Sequence, residues 1–181
     1  MALREVLQFP DARLKRKSEP ITEITDAHRE LASDMCDVMY DEPGIGLSAP
    51  QVGVAIRLIV VDTEWNDEGN DRDALVVINP ELVQPEGSLT WNEGCLSVPD
   101  YTADVDRAQR VTVFGTDLDG NPIEEHAEGL RAVCFQHEVD HLDGILFIDR
   151  ISRLKRSLYV KKRKKQLAQE EDEAEAERAR F

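Results

Sequence analysis

Gly129-Leu130-Arg131-Ala132-Val133-Cys134-Phe135-Gln136-His137-Glu138-Val139-Asp140-His141-Leu142 is the stretch that decides how this chain folds. Leu130, Val133, Cys134, His137 and His141 recur at three- and four-residue spacing, which lines one face of a helix. Asp143-Gly144 ends that helix, because glycine suits the left-handed turn after a last helical residue. Side chains at i and i+4 are neighbours on a helix, so the imidazoles of His137 and His141 can meet one divalent ion. Glu138, beside the first of them, can reach water at that ion without being a ligand, as a general base and later as an acid. Only four histidines occur in the chain, and two of them stand in this pattern beside a glutamate.

A catalytic site of this kind wants three protein ligands and an open position. Cys134 shares the helix face, but a rise of ~1.5 Å per residue puts it about 10 Å along the axis from His141. It reads better as a small packed residue. Cys95 is the stronger candidate, because it lies in Glu93-Gly94-Cys95-Leu96-Ser97, where glycine permits close backbone approach. On residue chemistry alone a buried loop cysteine remains the alternative. Cys36 falls beside an apolar helix face and reads as core, while His28 and His126 have no partner pattern and read as surface.

Working outward, residues 25–40 predict a helix with Leu31, Met35, Val38 and Met39 on one face, broken between Asp41 and Gly46. Ile56 to Val61 and Ala74 to Ile78 predict strands, the second closed by Asn79-Pro80, with an acidic loop from Thr63 to Asp73 between them. Val111 to Thr116, Asp119-Gly120 and Pro122 to His126 predict a hairpin. Residues 150–167 form a second amphipathic pattern, with Ile151, Leu154 and Leu158 opposite a cationic face, and the last dozen residues read as exposed or frayed. Strands first and a main helix after them indicate an α+β fold, with a catalytic domain over 1–149 and a tail over 150–181.

The 181 residues carry a formal net charge of −15, which argues against general binding to DNA, other nucleic acid or an anionic membrane. The tail departs from this balance: residues 150–165 hold nine Lys and Arg and no acid, and residues 170–177 hold six acids. No run approaches the ~20 apolar residues that span a bilayer. Arg4 and Glu5 interrupt the N-terminus where an apolar signal segment would lie, and three cysteines cannot all pair within one chain. A reducing compartment, the cytoplasm, is the expected location.

Three segments together resemble the peptide deformylases: Gly44-Ile45-Gly46-Leu47-Ser48-Ala49-Pro50-Gln51, Glu93-Gly94-Cys95-Leu96-Ser97 and Gln136-His137-Glu138-Val139-Asp140-His141, in order and at matching spacing. The resemblance runs from about Arg4 to about residue 165. It implies a hydrolase of the bacterial, iron-dependent type that removes the formyl group from the N-terminal methionine of new proteins. The implied fold has strands packed around the motif-bearing helix, and a C-terminal helix follows. Cys95, His137 and His141 would hold the metal, and Glu138 would handle protons. The Gln51 side chain and the Leu96 backbone N–H would stabilise the oxyanion, donors of a kind worth roughly 3–4 kcal/mol each. Gly44, Ile45, Gly46, Glu93 and Gly94 would contact the extended peptide, and Ile45, Leu130, Val133 and Cys134 would wall the methionine pocket. Two imidazoles and a thiolate suit zinc or ferrous iron. The resemblance implies Fe²⁺, with Zn²⁺, Ni²⁺ or Co²⁺ as other occupants, and a ferrous site beside Cys95 would be oxygen-sensitive.

Three positions depart from the family pattern. Ser48 stands where alanine is usual, Pro43 precedes the first motif where many bacterial members carry an acid, and Thr102 falls where an arginine often contacts the peptide. None is a proposed ligand, so activity is expected. The cationic segment at 150–165 would dock on ribosomal RNA, or serve as a solvated face balanced by the acids that follow. A zinc endopeptidase would need a third ligand after His141, where no histidine exists, and a structural metal site would need a fourth closed ligand.

Overall fold

The computed structural model of the chain describes residues 4–42, 44–65 and 72–178. It divides into two compact units, Met1–Phe147 and Ile148–Phe181. The apolar run at 58–61 forms an inner strand of the first. Strand β2 (Leu58–Val61) pairs antiparallel with β1 (Gly46–Ser48) on one side and β3 (Leu75–Glu86) on the other. Strands β6 (Arg110–Thr116) and β7 (Pro122–Glu128) complete a five-stranded sheet in the order β1-β2-β3-β6-β7. Side chains alternate across a strand. Leu58 and Val60 therefore join the cluster built on Leu31, Met35 and Met39 of helix α1 (Asp26–Asp41), whereas Ile59 and Val61 join one that includes Phe135 and Leu142 of helix α2 (Leu130–Leu142). A strand covered on both faces needs no polar alternation, which is why its sequence is continuously apolar.

A separate antiparallel hairpin of β4 (Leu89–Cys95) and β5 (Val98–Arg107) reaches α2 through side-chain contacts of Cys95, Glu93 and Arg107. Strands thus pack around the helix that bears both histidines, and the α+β expectation holds. Gly144 ends α2 with φ 73°, and a Cβ there would stand 2.5 Å from the Lys15 carbonyl oxygen, so only glycine lets that segment cross so closely.

The helix expected at 25–40, the hairpin at 111–126 and the helix ending at Leu142 are present. Three readings are corrected. Asn79-Pro80 does not end its strand: Asn79 takes a positive φ of 50°, the register shifts between Ile78 and Glu81, and β3 continues to Glu86. Asparagine tolerates this conformation, and proline is accommodated where a bulge leaves no ladder donor to lose. Asn79 is held by Ile21, whose backbone N–H donates to Oδ1 at 2.8 Å and whose carbonyl accepts from Nδ2 at 2.7 Å. The strands β4 and β5 were absent from the sequence-based expectation. The second unit contains a helix α3 (Arg153–Arg178) that runs well beyond the amphipathic pattern at 150–167. Residues 170–176 of its acidic end are exposed as expected, but helical, and residues 179–181 lie outside the described residues. Pro43 and part of the acidic loop after Thr63, residues 66–71, lie outside the described residues.

Candidate metal centre

One turn of α2 separates His137 from His141, and their Nε2 atoms lie 3.2 Å apart. The tight connection between β4 and β5 brings the Cys95 sulfur to 3.2 Å from His141 Nε2. All three ligand atoms fall within 4.8 Å of one another. Imidazoles bound at ~2.0–2.1 Å around a tetrahedral ion would have nitrogens about 3.3 Å apart. Two imidazole nitrogens and a sulfur at this spacing, each able to offer a lone pair, form a donor set that fits a divalent metal. Cys134 is not in the cluster; it is buried, with its sulfur 3.4 Å from the Ile45 carbonyl oxygen.

The cluster is oriented from behind. His137 Nδ1 donates to Glu93 Oε2 at 2.8 Å. An ionised carboxylate only accepts, so a proton sits on Nδ1, and Nε2, facing Cys95 and His141, is the nitrogen left to bind an ion. Arg107, 5% exposed, grips Glu93 with two hydrogen bonds, Nε to Oε1 at 2.6 Å and Nη2 to Oε2 at 2.9 Å. Its third nitrogen donates to Asp140 Oδ2 at 2.6 Å. Burial works to raise the Glu93 carboxyl, but the hydrogen bonds from Arg107 and His137 overcome it and hold the pKa at about 2. Burial likewise opposes the charged form of His137, but the Cys95 sulfur and Glu93 raise its pKa, whereas burial and His137 lower that of His141.

In front of the cluster lies a cavity of about 840 Å³. Gly44, Ile45, Gly46 and Gln51 line one side of it, Gly94, Cys95 and Leu96 another, and Leu130, Val133, Cys134, His137 and Glu138 come from α2. His141 is not part of the wall and is 1% exposed. Glu93, expected among the peptide contacts, lines the cavity but commits both carboxylate oxygens to Arg107 and His137. Thr102 is exposed at the same cavity. Glu138 is buried, and its Oε2 has no partner among the described residues. Burial pushes its pKa up to about 7, against the pull of His137 and the Ser48 hydroxyl. A Cβ on Gly46 would meet Cys134 Sγ at 2.6 Å and Glu138 Oε1 at 2.7 Å, so the absent side chain is what lets β1 pass the carboxyl.

The Gln51 carboxamide completes the wall. Its oxygen accepts from the Ser48 backbone N–H at 2.9 Å and the Ser48 hydroxyl at 2.8 Å. Its nitrogen donates to Ser97 Oγ at 3.2 Å and stands 3.6 Å from the Cys95 sulfur. Arg107, Asp140, Ser97 and Ser48 were not read as site residues. For Arg107 a signal existed, since Ala103, Val105 and Arg107 alternate inward along β5 and the last meets Glu93 across the hairpin.

Three donors beside a cavity, with a neutral-range carboxyl next to them, describe a metal-dependent hydrolase rather than a closed structural site. Comparison with known proteins makes the class specific. The model of the polypeptide deformylase family matches residues 3–157. A peptide deformylase of Rhodopseudomonas palustris (strain BisB5) is 49% identical over 163 residues, 90% of this chain and 93% of that protein. One of Zymomonas mobilis is 50% identical over 176 residues, 95% of this chain and 99% of that one. The crystal structure of a peptide deformylase from Legionella pneumophila superposes with a TM-score of 0.84 at 41% identity, covering 92% of this chain and 98% of the other. That of Ehrlichia chaffeensis in complex with actinonin gives 0.84 at 36% identity, covering 92% and 98%. This chain belongs to the polypeptide deformylase family. It is a hydrolase that removes the N-formyl group from nascent peptides. No helix among the described residues is long and apolar enough to cross a membrane.

Proposed function

We propose that Cys95, His137 and His141 hold one catalytic Fe²⁺, with Zn²⁺, Ni²⁺ or Co²⁺ able to take its place, and that Glu138 is the proton carrier. The observation that carries this reading is the convergence of one sulfur and two Nε2 atoms within 4.8 Å beside a cavity that also exposes a buried carboxyl. A divalent ion on these donors would supply Lewis acidity, polarising the formyl oxygen and lowering the pKa of water to about 7. Glu138 takes the proton of the water that attacks the formyl carbon. Gln51 Nε2 and the Leu96 N–H donate to the oxygen that becomes negative. Glu138 then delivers its proton to the departing nitrogen, the C–N bond breaks, and formate and a free amino terminus result. The raised pKa of Glu138 suits both halves of this task, since a carboxyl near neutrality gives and takes a proton with similar ease.

The peptide lies extended in the cavity. Strand β1 is at the edge of its sheet, so the 44–46 segment offers backbone groups to an added strand. Ile45, Leu130, Val133 and Cys134 provide apolar wall for the methionine side chain. Residues 1–149 act as the catalytic domain, in the cytoplasm where formylated chains are made. The cationic half of the tail contacts ribosomal RNA, with no role for DNA. Deleting residues 150–181 should abolish co-sedimentation with ribosomes at low salt and spare turnover of a small formyl peptide; unchanged co-sedimentation would dispose of that contact. The site itself is tested by formate release from formyl-Met-Ala-Ser by anaerobically purified, iron-loaded protein, with metal content measured for Cys95→Ala, His137→Ala and His141→Ala. Each substitution should lose metal and turnover together. Retention of full metal by any of them would remove that residue from the ligand set.

A further inference from the structure

We infer that Ser48 is a positioning residue for the reaction: its hydroxyl holds the Gln51 carboxamide with the nitrogen, not the oxygen, turned toward the reacting formyl group. The inference rests on the reading of Gln51 as an oxyanion donor. A carboxamide presents an oxygen and an NH₂ of nearly equal size, and rotating it by half a turn exchanges a donor for an acceptor. Facing the developing oxyanion, the wrong orientation would set a carbonyl oxygen against negative charge.

The surroundings of Gln51 make that orientation one-sided. Two donors converge on its oxygen, the Ser48 N–H at 2.9 Å and the Ser48 hydroxyl at 2.8 Å. Its nitrogen has one acceptor hydroxyl, Ser97 Oγ at 3.2 Å, with the Cys95 sulfur at 3.6 Å beside the cavity. Turned over, the NH₂ would face the Ser48 N–H, and the oxygen would face the cysteine sulfur. Ser48 is fully buried and Gln51 is 2% exposed, so water does not replace a lost hydroxyl. The backbone of this corner is independently held. Ser48 pairs with Ile59 across β1 and β2, and the turn Ala49–Val52 that follows contains Pro50 and ends on Gly53, whose N–H bonds Pro50. Removing the hydroxyl should therefore leave the chain path in place and take away one of two restraints on the amide; the hydroxyl also faces the Glu138 carboxyl, and an effect exerted there would persist when Gln51 is absent, which the double variant detects.

A buried neutral hydrogen bond is worth a factor of roughly five in an equilibrium or a rate. Steady-state formate release should be measured for wild type, Ser48→Ala, Gln51→Ala and the double variant. Ser48→Ala should lower kcat roughly fivefold with KM within about twofold. Gln51→Ala should lower kcat by ~10²–10³, and the double variant should be no slower than Gln51→Ala. A second readout needs no turnover: the ¹⁵N-labelled side-chain amide of Gln51, followed by NMR in the metal-free protein, should exchange with solvent faster in Ser48→Ala. Ser48→Cys, which keeps the volume with a weaker donor, should fall between wild type and alanine, and serves if the alanine variant is unstable. Wild-type kcat in both Ser48 variants, or an extra fivefold loss in the double variant, would overturn the inference while leaving Gln51 in its role. An unchanged kcat in Gln51→Ala would overturn the oxyanion reading and this inference with it.

Discussion

Arg107 joins two buried carboxylates behind the metal cluster, and Arg107→Met would measure what that is worth. The guanidinium is buried between Glu93 and Asp140, making contacts of 2.6, 2.9 and 2.6 Å to their oxygens. Methionine keeps most of the volume and removes the positive charge that both buried carboxylates face. Deleting one partner of a buried ion pair costs about 3–5 kcal/mol. Arg107 and His137 together hold Glu93 at about 2 against an ordinary 4.5, a net worth roughly 3.5 kcal/mol at ~1.4 kcal/mol per pKa unit that the two share. Because the folded value is depressed, this stability is present above pH 4.5 and is lost as pH falls toward 2. Urea unfolding of metal-free protein at pH 7 should therefore show Arg107→Met less stable than wild type by about 3–5 kcal/mol, a large fraction of a typical 5–15 kcal/mol. The gap should narrow below pH 4. Adding Glu93→Gln and Asp140→Asn should recover part of the loss, since the enclosed charges are then gone. A deficit under ~1 kcal/mol for Arg107→Met, with an unchanged denaturant slope, would refute the view that Arg107 is what offsets the two enclosed carboxylates.

Glu138 should behave in the opposite sense. Its folded pKa is raised to about 7, so burial favours the neutral acid, and metal-free protein should lose stability as pH climbs from about 4.5 through 7. Glu138→Gln should not show that loss, so unfolding free energies from urea curves of the two proteins should match near pH 4 and diverge in the variant's favour by about 3 kcal/mol at pH 8. Parallel curves across that range would mean the carboxyl is not desolvated. Gly46→Ala forces a methyl against Cys134 and Glu138 and should destabilise by about 1–3 kcal/mol while lowering kcat, as read by thermal unfolding and formate release; an unaffected kcat would show that β1 shifts freely away from the carboxyl.

Much of this was legible in the sequence, for identifiable reasons. The pair His137 and His141 with Glu138 lies on one continuous helix, where spacing alone dictates proximity. The strand at 58–61 and the hairpin after Arg110 announce themselves by apolar runs and by Asp119-Gly120. Strands β4 and β5 did not, because their pattern is written in polar residues. Thr90 donates to Asp106 and Asn92 to Asp104 on the exposed face, while Glu93 and Arg107 occupy inward positions where apolar residues are expected. An ion pair that is buried reads in the sequence as two exposed residues, and only tertiary contact cancels the charges. The same applies to Ser48, whose neighbour Gln51 is three residues away but whose importance depends on both being enclosed. The helix at the C-terminus was underestimated because its second half has no apolar stripe, although Glu and Ala are good helix formers.

The central claim is that Glu138 moves protons at a metal held by other residues. Its most direct test is formate release and metal stoichiometry measured on the same anaerobic samples of wild type and Glu138→Ala. The account predicts one ion per chain in both proteins and turnover only in the wild type, with a loss of at least ~10²-fold in the variant. Turnover by a metal-loaded Glu138→Ala within about tenfold of wild type would contradict it.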